Sequence, residues 1–301
     1  MFSDLLFDCL NKFKIESGKD FTLRRENLER GILRERYDIK TDDESLKFNK
    51  PIGRYELMTI PDVLTFDEED IKYCTMKLAE VLNDVLGKIS AKDRILVVGL
   101  GNRHISSDSL GAKVVGKINI TIDNCELPKV MAISPSVMGL TGIETVDIVE
   151  GVVLKTKATH LIIIDSLCAS SPSRLGKSIQ ITNTGICPGG GVGNKRKCID
   201  KNIAPHIFSI GVPLLIYAST FVIETLSENG ITKNAINGVM QNLLKSSKGR
   251  DFIDFLKNIS KVLNDNLDNM IVALKDIEEC VELLSTIIAN SINMALGVEY
   301  H

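Results

Sequence analysis

The stretch Arg94 to Gly111, RILVVGLGNRHISSDSLG, decides the fold. Arg94-Ile95-Leu96-Val97-Val98 is a short apolar run rich in β-branched residues. Gly99-Leu100-Gly101-Asn102 ends it with residues that tolerate tight turns and positive φ. The pattern is that of a buried strand running into a loop. In an open parallel sheet the loop after a strand's carboxyl end is where ligands and catalytic groups collect, because side chains there point from a rigid edge into a crevice. Asp108 lies in that loop behind Ser106 and Ser107, and Gly111 to Val115 follows at helical spacing. The commoner role for such a residue is to cap the helix; the functional alternative is a carboxylate facing the crevice.

Downstream the pattern repeats. Lys129 to Ile133 reads as a second buried strand, the loop Ser134 to Gly142 follows its end, and Ile143 to Lys155 carries apolar residues at helical period with Glu144 and Asp147 near its positive end. His160 to Asp165 is a third buried strand closed by a carboxylate. Strand, helix, strand, helix, strand is the order of an α/β protein whose mostly parallel sheet is flanked by helices and joined by right-handed crossovers. Asp165 is thus placed like Asp108. Its bland reading is a turn former before Ser166. Two carboxylates at neighbouring strand ends can face one crevice and divide acid and base roles, because each ion raises the other's proton affinity.

Lys177 to Thr182 alternates and predicts an exposed strand. Thr184 to Lys197, TGICPGGGVGNKRK, is a glycine-rich loop ending in cations. Its spacing is not that of a phosphate-binding GxxxxGK[ST] loop, and it does not follow the first strand of a βαβ unit. Its backbone is expected instead to approach an extended partner, with Lys195 and Arg196 holding acidic groups. Ile207 to Pro213 predicts a further strand, Leu214 to Leu226 a buried helix, and the chain from about Ala235 further helices, including Asp251 to Leu256 and Ile277 to Leu296. Upstream, Pro51 to Pro61 alternates between two prolines as an edge strand would, and Thr65 with Glu68 predicts a capping box opening a helix that Gly87 ends. Residues 1 to 50 are dense in mixed charge, with helix-like spacing from Phe2 to Phe13. They read as a solvated or detachable N-terminal segment, leaving 51 to 301 as a single α/β domain with added edge strands and C-terminal helices.

The composition, 44% hydrophobic and 25% charged over 301 residues, allows a large core, and a net charge of -3 gives no basic excess that would favour direct nucleic-acid binding. No run reaches the roughly 18 apolar residues needed to cross a bilayer, and Met1 to Leu5 lacks the basic start of a signal peptide, so a cytoplasmic protein with no membrane association is expected. The seven cysteines are an odd number without a CxxC pair, which signals neither a disulfide framework nor a thiolate metal site.

Val97-Val98-Gly99-Leu100-Gly101-Asn102 with Asp108-Ser109-Leu110-Gly111, then Val137 to Thr145, Asp165-Ser166-Leu167, Thr184-Gly185-Ile186 with Pro188-Gly189 and Gly191 to Arg196, and Ser209 to Pro213 together resemble the germination protease family of spore-forming bacteria. The resemblance spans about residues 51 to 226 and extends to Ile288 to Leu296. Any one motif is weak evidence; five in order are specific. The family implies an endopeptidase that degrades the small acid-soluble proteins coating spore DNA, made as a zymogen with an N-terminal propeptide, homotetrameric, and similar in phosphorylase/hydrolase-like fold to the hydrogenase-maturation endopeptidases. It implies a spore-core location and places the two key aspartates on Asp108 and Asp165.

Peptide hydrolysis needs an activated water, a group that polarises the carbonyl and a proton donor for the leaving amine. Asp108 and Asp165 are expected to share the acid and base roles without a cofactor. Gly101, Asn102, Gly189, Gly191, Gly193, Asn194, Lys195 and Arg196 are the expected substrate-binding residues. Two other readings fit the same residues. The carboxylates with His104 or His206 could ligate a divalent metal, or the chain could be an inactive paralogue that keeps the fold to bind protein.

Overall fold

In the computed structural model, which describes residues 5–12, 23–121, 126–186, 197–228 and 270–298, the apolar runs predicted to be buried strands form the middle of one sheet. In chain order the elements begin with α1 (Leu6–Lys12), β1 (Arg24–Asn27), β2 (Leu33–Ile39), α2 (Asp42–Phe48), β3 (Gly53–Thr59), α3 (Glu68–Leu86), β4 (Arg94–Gly99) and α4 (Leu110–Val115). They continue with β5 (Lys129–Ile133), the single turn α5 (Met138–Thr141), α6 (Thr145–Thr156), β6 (His160–Cys168), β7 (Ser178–Thr182), β8 (His206–Tyr217), α7 (Ala218–Glu228), β9 (Ile271–Ala273) and α8 (Ile277–Ala295). The helices expected after Ala235, including Asp251 to Leu256, lie outside the described residues.

The sheet order is β1-β2-β3-β7-β8-β6-β4-β5, with β9 beside β8. From β5 through β4 and β6 to β8 the pairing is parallel. From β8 through β7, β3 and β2 to β1, and at β9, it is antiparallel. The α/β class stands, but the sheet is mixed rather than mostly parallel. Even and odd residues of the central strands explain the layers. Ile95, Val97, Ile162 and Ile164 face a core shared with α3, α4 and α8, while Leu96, Val98, Leu161 and Ile163 face α6. Burial on both faces is why these strands read as continuous apolar runs.

Several local expectations are corrected. The segment between Pro51 and Pro61 is an interior strand, because β2 and β7 pair on its two sides and both prolines fall outside β3. β7 is buried along its length, not exposed, since β3 and β8 flank it. β8 runs through Leu214 to Tyr217 before α7 begins, the extra residues being held by β9. The capping box of α3 belongs to Asp67 and Asp70; Thr65 ends the preceding 3-10 turn.

The first 50 residues supply two strands to this sheet. Glu56 on β3 is completely buried, and Arg34 on β2 grips its two carboxylate oxygens at 3.1 and 3.2 Å while reaching Asp84 of α3 at 2.8 Å. A buried carboxylate demands such a bidentate partner. Further upstream, Asp8 of α1 accepts hydrogen bonds from the Ser170 N–H and hydroxyl, both at 2.9 Å, and pairs with Arg174 at 2.7 Å.

The junction of β4 and α4 depends on two glycines. A Cβ on Gly99 would overlap the Gly111 carbonyl group, and one on Gly111 would overlap the Leu100 backbone. The first turn of α4 can therefore lie directly on the strand's end only if both residues lack a side chain. Gly111→Ala is expected to lower the unfolding free energy by about 1–3 kcal/mol in urea titrations, whereas Gly139→Ala, where a Cβ meets nothing within 4 Å, changes it little.

Candidate active site

The β4 strand ends at Gly99, beside Ile164 of β6. The next residue, Leu100, donates its N–H to the Ile164 carbonyl at 2.8 Å, so the chain leaving β4 turns over the point where β6 reaches Asp165. Gly101 is buried with φ +95. A Cβ there would meet Asp108 Oδ1 at 2.7 Å, so the turn can close on the carboxylate only as glycine. The Asn102 N–H then donates to Asp108 Oδ2 at 2.7 Å. Asp108 is thus no helix cap; its side chain turns back toward the strand end, and Ser109 at the start of α4 makes no side-chain cap. Burial pushes the Asp108 carboxyl above its ordinary 3.8, with the Asn102 N–H opposing the shift.

Asp165 is half-buried on β6, opposite Gly211 of β8, and one of its oxygens accepts the Ser166 N–H at 2.9 Å. The 3-10 turn Ser106–Asp108 packs against both β6 and β8. The structure thereby brings Asp108, Asp165, Gly101 and Asn102 to one edge of the sheet, around the Leu100-Gly101 turn. Ser106 ties that turn to α8 through Glu278 at 2.9 Å.

Gly189, Gly191, Gly193, Asn194, Lys195 and Arg196 lie outside the described residues. The two stems of their loop are fixed: Ile186 and Ile199 exchange backbone hydrogen bonds of 3.0 and 2.8 Å, and Lys197 reaches Asp147 near the start of α6 at 2.8 Å. Cys198, in the second stem, is disulfide-bonded, which the scattered cysteine spacing did not signal. His206 is not with the aspartates. It opens β8 opposite His160 and stacks on that ring at 4.6 Å, five residues before Gly211, the position beside Asp165. At the rise of an extended strand that is about 16 Å away. His104 is exposed in the Asp108 loop.

The sequence profile of germination proteases matches residues 11–230. The chain belongs to the germination protease family. It is 34% identical over 280 residues to the germination protease of Clostridium perfringens strain SM101, covering 86% of this chain and 82% of that one. It is 36% identical over 269 residues to that of Clostridium tetani, covering 82% and 80%, and 31% identical over 311 residues to that of Caldanaerobacter subterraneus, covering 98% and 93%. Membership makes the chain a peptide-bond hydrolase, an endopeptidase of spore germination. Among the described residues no helix is long and apolar enough to cross a membrane.

One feature beside the aspartates was not legible in the sequence. A cleft of about 400 Å³ opens between α4 and the end of β5, lined by Arg103, Ser109, Ala112, Lys113, Val115, Gly116, Ala132, Ile133 and Ser134. Nothing in the residues of β5 announces that it ends the sheet, so its groove could not be anticipated.

The desolvated Asp108 carboxylate has a consequence for stability. Its folded pKa lies above the unfolded 3.8, so the native state loses stability relative to the unfolded chain as pH rises through that interval. Asp108→Asn keeps an acceptor for the Asn102 N–H and removes the charge. The variant is expected to melt higher than the parent at pH 7, with the gap closing below about pH 4 in thermal scans.

Proposed function

We propose that this chain initiates degradation of small acid-soluble spore proteins at germination, using Asp108 and Asp165 as a carboxylate pair, and that it is made as a zymogen in the spore core and works as a homotetramer. The observation that carries the reading is the placement of Asp108 and Asp165 at one sheet edge beside the Leu100-Gly101 turn, with burial raising the Asp108 pKa. The reading assigns the shared proton to Asp108 and the base role to Asp165. Asp165 takes a proton from water as the water oxygen attacks the scissile carbonyl. Asp108 gives its proton to the leaving nitrogen as the C–N bond breaks, and the products are a carboxylic acid and an amine. The Gly101 N–H, which makes no hydrogen bond among the described residues, is the proposed donor to the oxyanion. The substrate, zymogen and tetramer come from the family resemblance. Substrate contacts by Gly189, Gly191, Gly193, Asn194, Lys195 and Arg196 are part of the same proposal.

Support for a zymogen lies in α1. Leu5, Leu6, Phe7 and Leu10 share a core with Leu167, two residues beyond Asp165, and Asp8 is clamped by Ser170 and Arg174 just after β6. The segment therefore docks beside the site. Removing it differs physically from removing residues 1–50. A cut before Leu23 leaves the sheet whole, whereas a cut at 50 strips β3 of its neighbour and leaves buried Glu56 without Arg34.

The full-length protein and a form starting at Leu23 should be incubated with a small acid-soluble spore protein, with and without chelator, and the fragments read by mass spectrometry. Cleavage is expected from the trimmed form, unchanged by chelator and abolished in Asp108→Asn and Asp165→Asn proteins whose circular dichroism is native. Full activity in either variant sinks the pair. Loss on chelation restored by added metal favours the metal-assisted reading, and binding without cleavage favours an inactive paralogue. Separately, Asp8→Asn removes the charge that Arg174 neutralises. It is expected to speed limited proteolysis ahead of Leu23 several-fold and to raise the activity of the untrimmed chain.

A further inference from the structure

We infer that the carboxyl half of β5 is the docking strand for the protein substrate, which adds to the sheet edge at Ala132 and Ser134 as an extended segment and is led from there to Asp108. The inference rests on the peptidase reading above and goes beyond it by naming the surface and the binding mode.

β5 ends the sheet, and among the described residues its only partner strand is β4. The direction of its backbone groups follows from two bonds. The Lys129 N–H points toward the β4 side, reaching the Asp93 carbonyl at 2.9 Å, so residues 129, 131 and 133 bond inward and 130, 132 and 134 face outward. Val130 confirms this: its N–H donates to Thr121 Oγ1 at 2.7 Å, and its carbonyl accepts the Thr121 N–H at 3.3 Å. That cover stops at Val130. The outward backbone groups of Ala132 and Ser134 have no partner among the described residues.

Proteins blunt exposed strand edges with charge or cover. The opposite edge of this sheet obeys the rule, since β1 is Arg24-Arg25-Glu26-Asn27 and exposed throughout. Met131-Ala132-Ile133-Ser134 carries no charge. The open half is instead one wall of the 400 Å³ cleft, with α4 as the other. An unprotected edge inside a cleft is suited to strand addition, in which main-chain bonds give affinity and alternate side chains give specificity.

The surroundings select the occupant. Ile105 is 48% exposed on the loop after β4, and Met138 and Leu140 are 44% and 57% exposed on α5, which follows β5, so apolar side chains are exposed beyond the carboxyl ends of both strands. The cleft's charged residues are Arg103 and Lys113, with no acidic residue in its walls; Lys113 is held by Glu282 of α8 at 2.7 Å, whereas Arg103 makes no ion pair among the described residues. A second copy of this chain joined edge to edge would bring the same Arg103 and no acidic wall residue to balance it. A substrate segment with apolar side chains and a carboxylate fits both. Ser109, in the cleft wall, follows Asp108 directly, so a strand seated here lies beside the segment that carries the reacting carboxylate.

The test uses full-length Asp108→Asn protein and an intact small acid-soluble spore protein, with amide hydrogen exchange read at β5 and cleavage by the parent form starting at Leu23 assayed in parallel. Binding is expected to slow exchange at Ala132 and Ser134. Protection elsewhere with cleavage retained overturns the docking strand and leaves the peptidase reading intact. Protection here without cleavage by the parent form starting at Leu23 keeps the docking strand and removes the peptidase. Slow exchange at both amides before substrate is added means that another copy occupies the edge, which also overturns the inference. Peptides spanning the cleaved bond, N-methylated at one residue at a time, supply a check in which the protein is unchanged. Affinity should fall about tenfold at every second residue and little between them, the loss of one hydrogen bond at each outward position; a flat profile refutes strand addition.

Discussion

The site depends on a contact between backbones. At Gly99 and Gly111 the end of β4 and the first turn of α4 approach so closely that neither position has room for a methyl group. Two residues on, Gly101 closes on the Asp108 carboxylate in a conformation that L-residues rarely adopt. These glycines convert a strand-to-helix connection into a tight cradle. Any side chain there pushes α4 away from the sheet, and with it the turn that carries Asp108. Glycine loses more conformational freedom on folding than other residues, so holding them ordered requires firm packing around them. Leu110, Val114, Ile95 and Val97, all fully buried, supply it.

The two halves of the sheet have different physical roles. The parallel half brings the end of β4 level with Asp165 of β6, where an α/β crevice forms, although β6 does not close at Asp165 as its sequence suggests but runs on beside β8 to Cys168. The antiparallel half brings the N-terminal strands alongside and fixes them with buried charge, as at Arg34 and Glu56. Pro213 illustrates the fit between the halves. It lies on β8 between the residues paired with β7, which stop at Gly211, and those paired with β9, which begin at Leu215, so its missing N–H interrupts no antiparallel ladder.

Much of this was legible because the central strands are buried on both faces. Arg94 to Val98, Lys129 to Ile133 and His160 to Ile164 needed only their apolar runs to be recognised, and Asp108 and Asp165 followed from where those runs stop. What could not be read is non-local. Strand order is not written in any one strand, so β3 reads as an edge and β7 as an exposed strand although each has neighbours on both sides. Ser178, Gln180 and Thr182 look like a solvent face yet are buried. Leu214 to Tyr217 is apolar without a period, and a short run of that kind does not distinguish strand from helix. The α3 boundary failed for a local reason: Thr65 and Glu68 satisfy the capping-box pattern, but Asp67 with Asp70 satisfies it two residues later and wins.

The site is also assembled from distant parts of the chain. Ser106 beside Asp108 bonds to Glu278, 172 residues away, and Lys113 on α4 and Lys117 just beyond it both hold Glu282, whose carboxyl their ammonium groups pull down to about 2. Ser291 of α8 reaches the Thr75 carbonyl of α3, 216 residues off. The C-terminal helix therefore covers α3 and α4 together and bears on the turn that carries Asp108. Local forces make β4 and its glycine turn, but a carboxylate that is costly to bury stays in place only once the rest of the chain has closed over it. The docking of α8 and the completion of the site are therefore coupled through Ser106, Lys113 and Lys117. A chain whose last helix is absent would retain the strands and lose the geometry, since α4 would have the sheet on one side and water on the other.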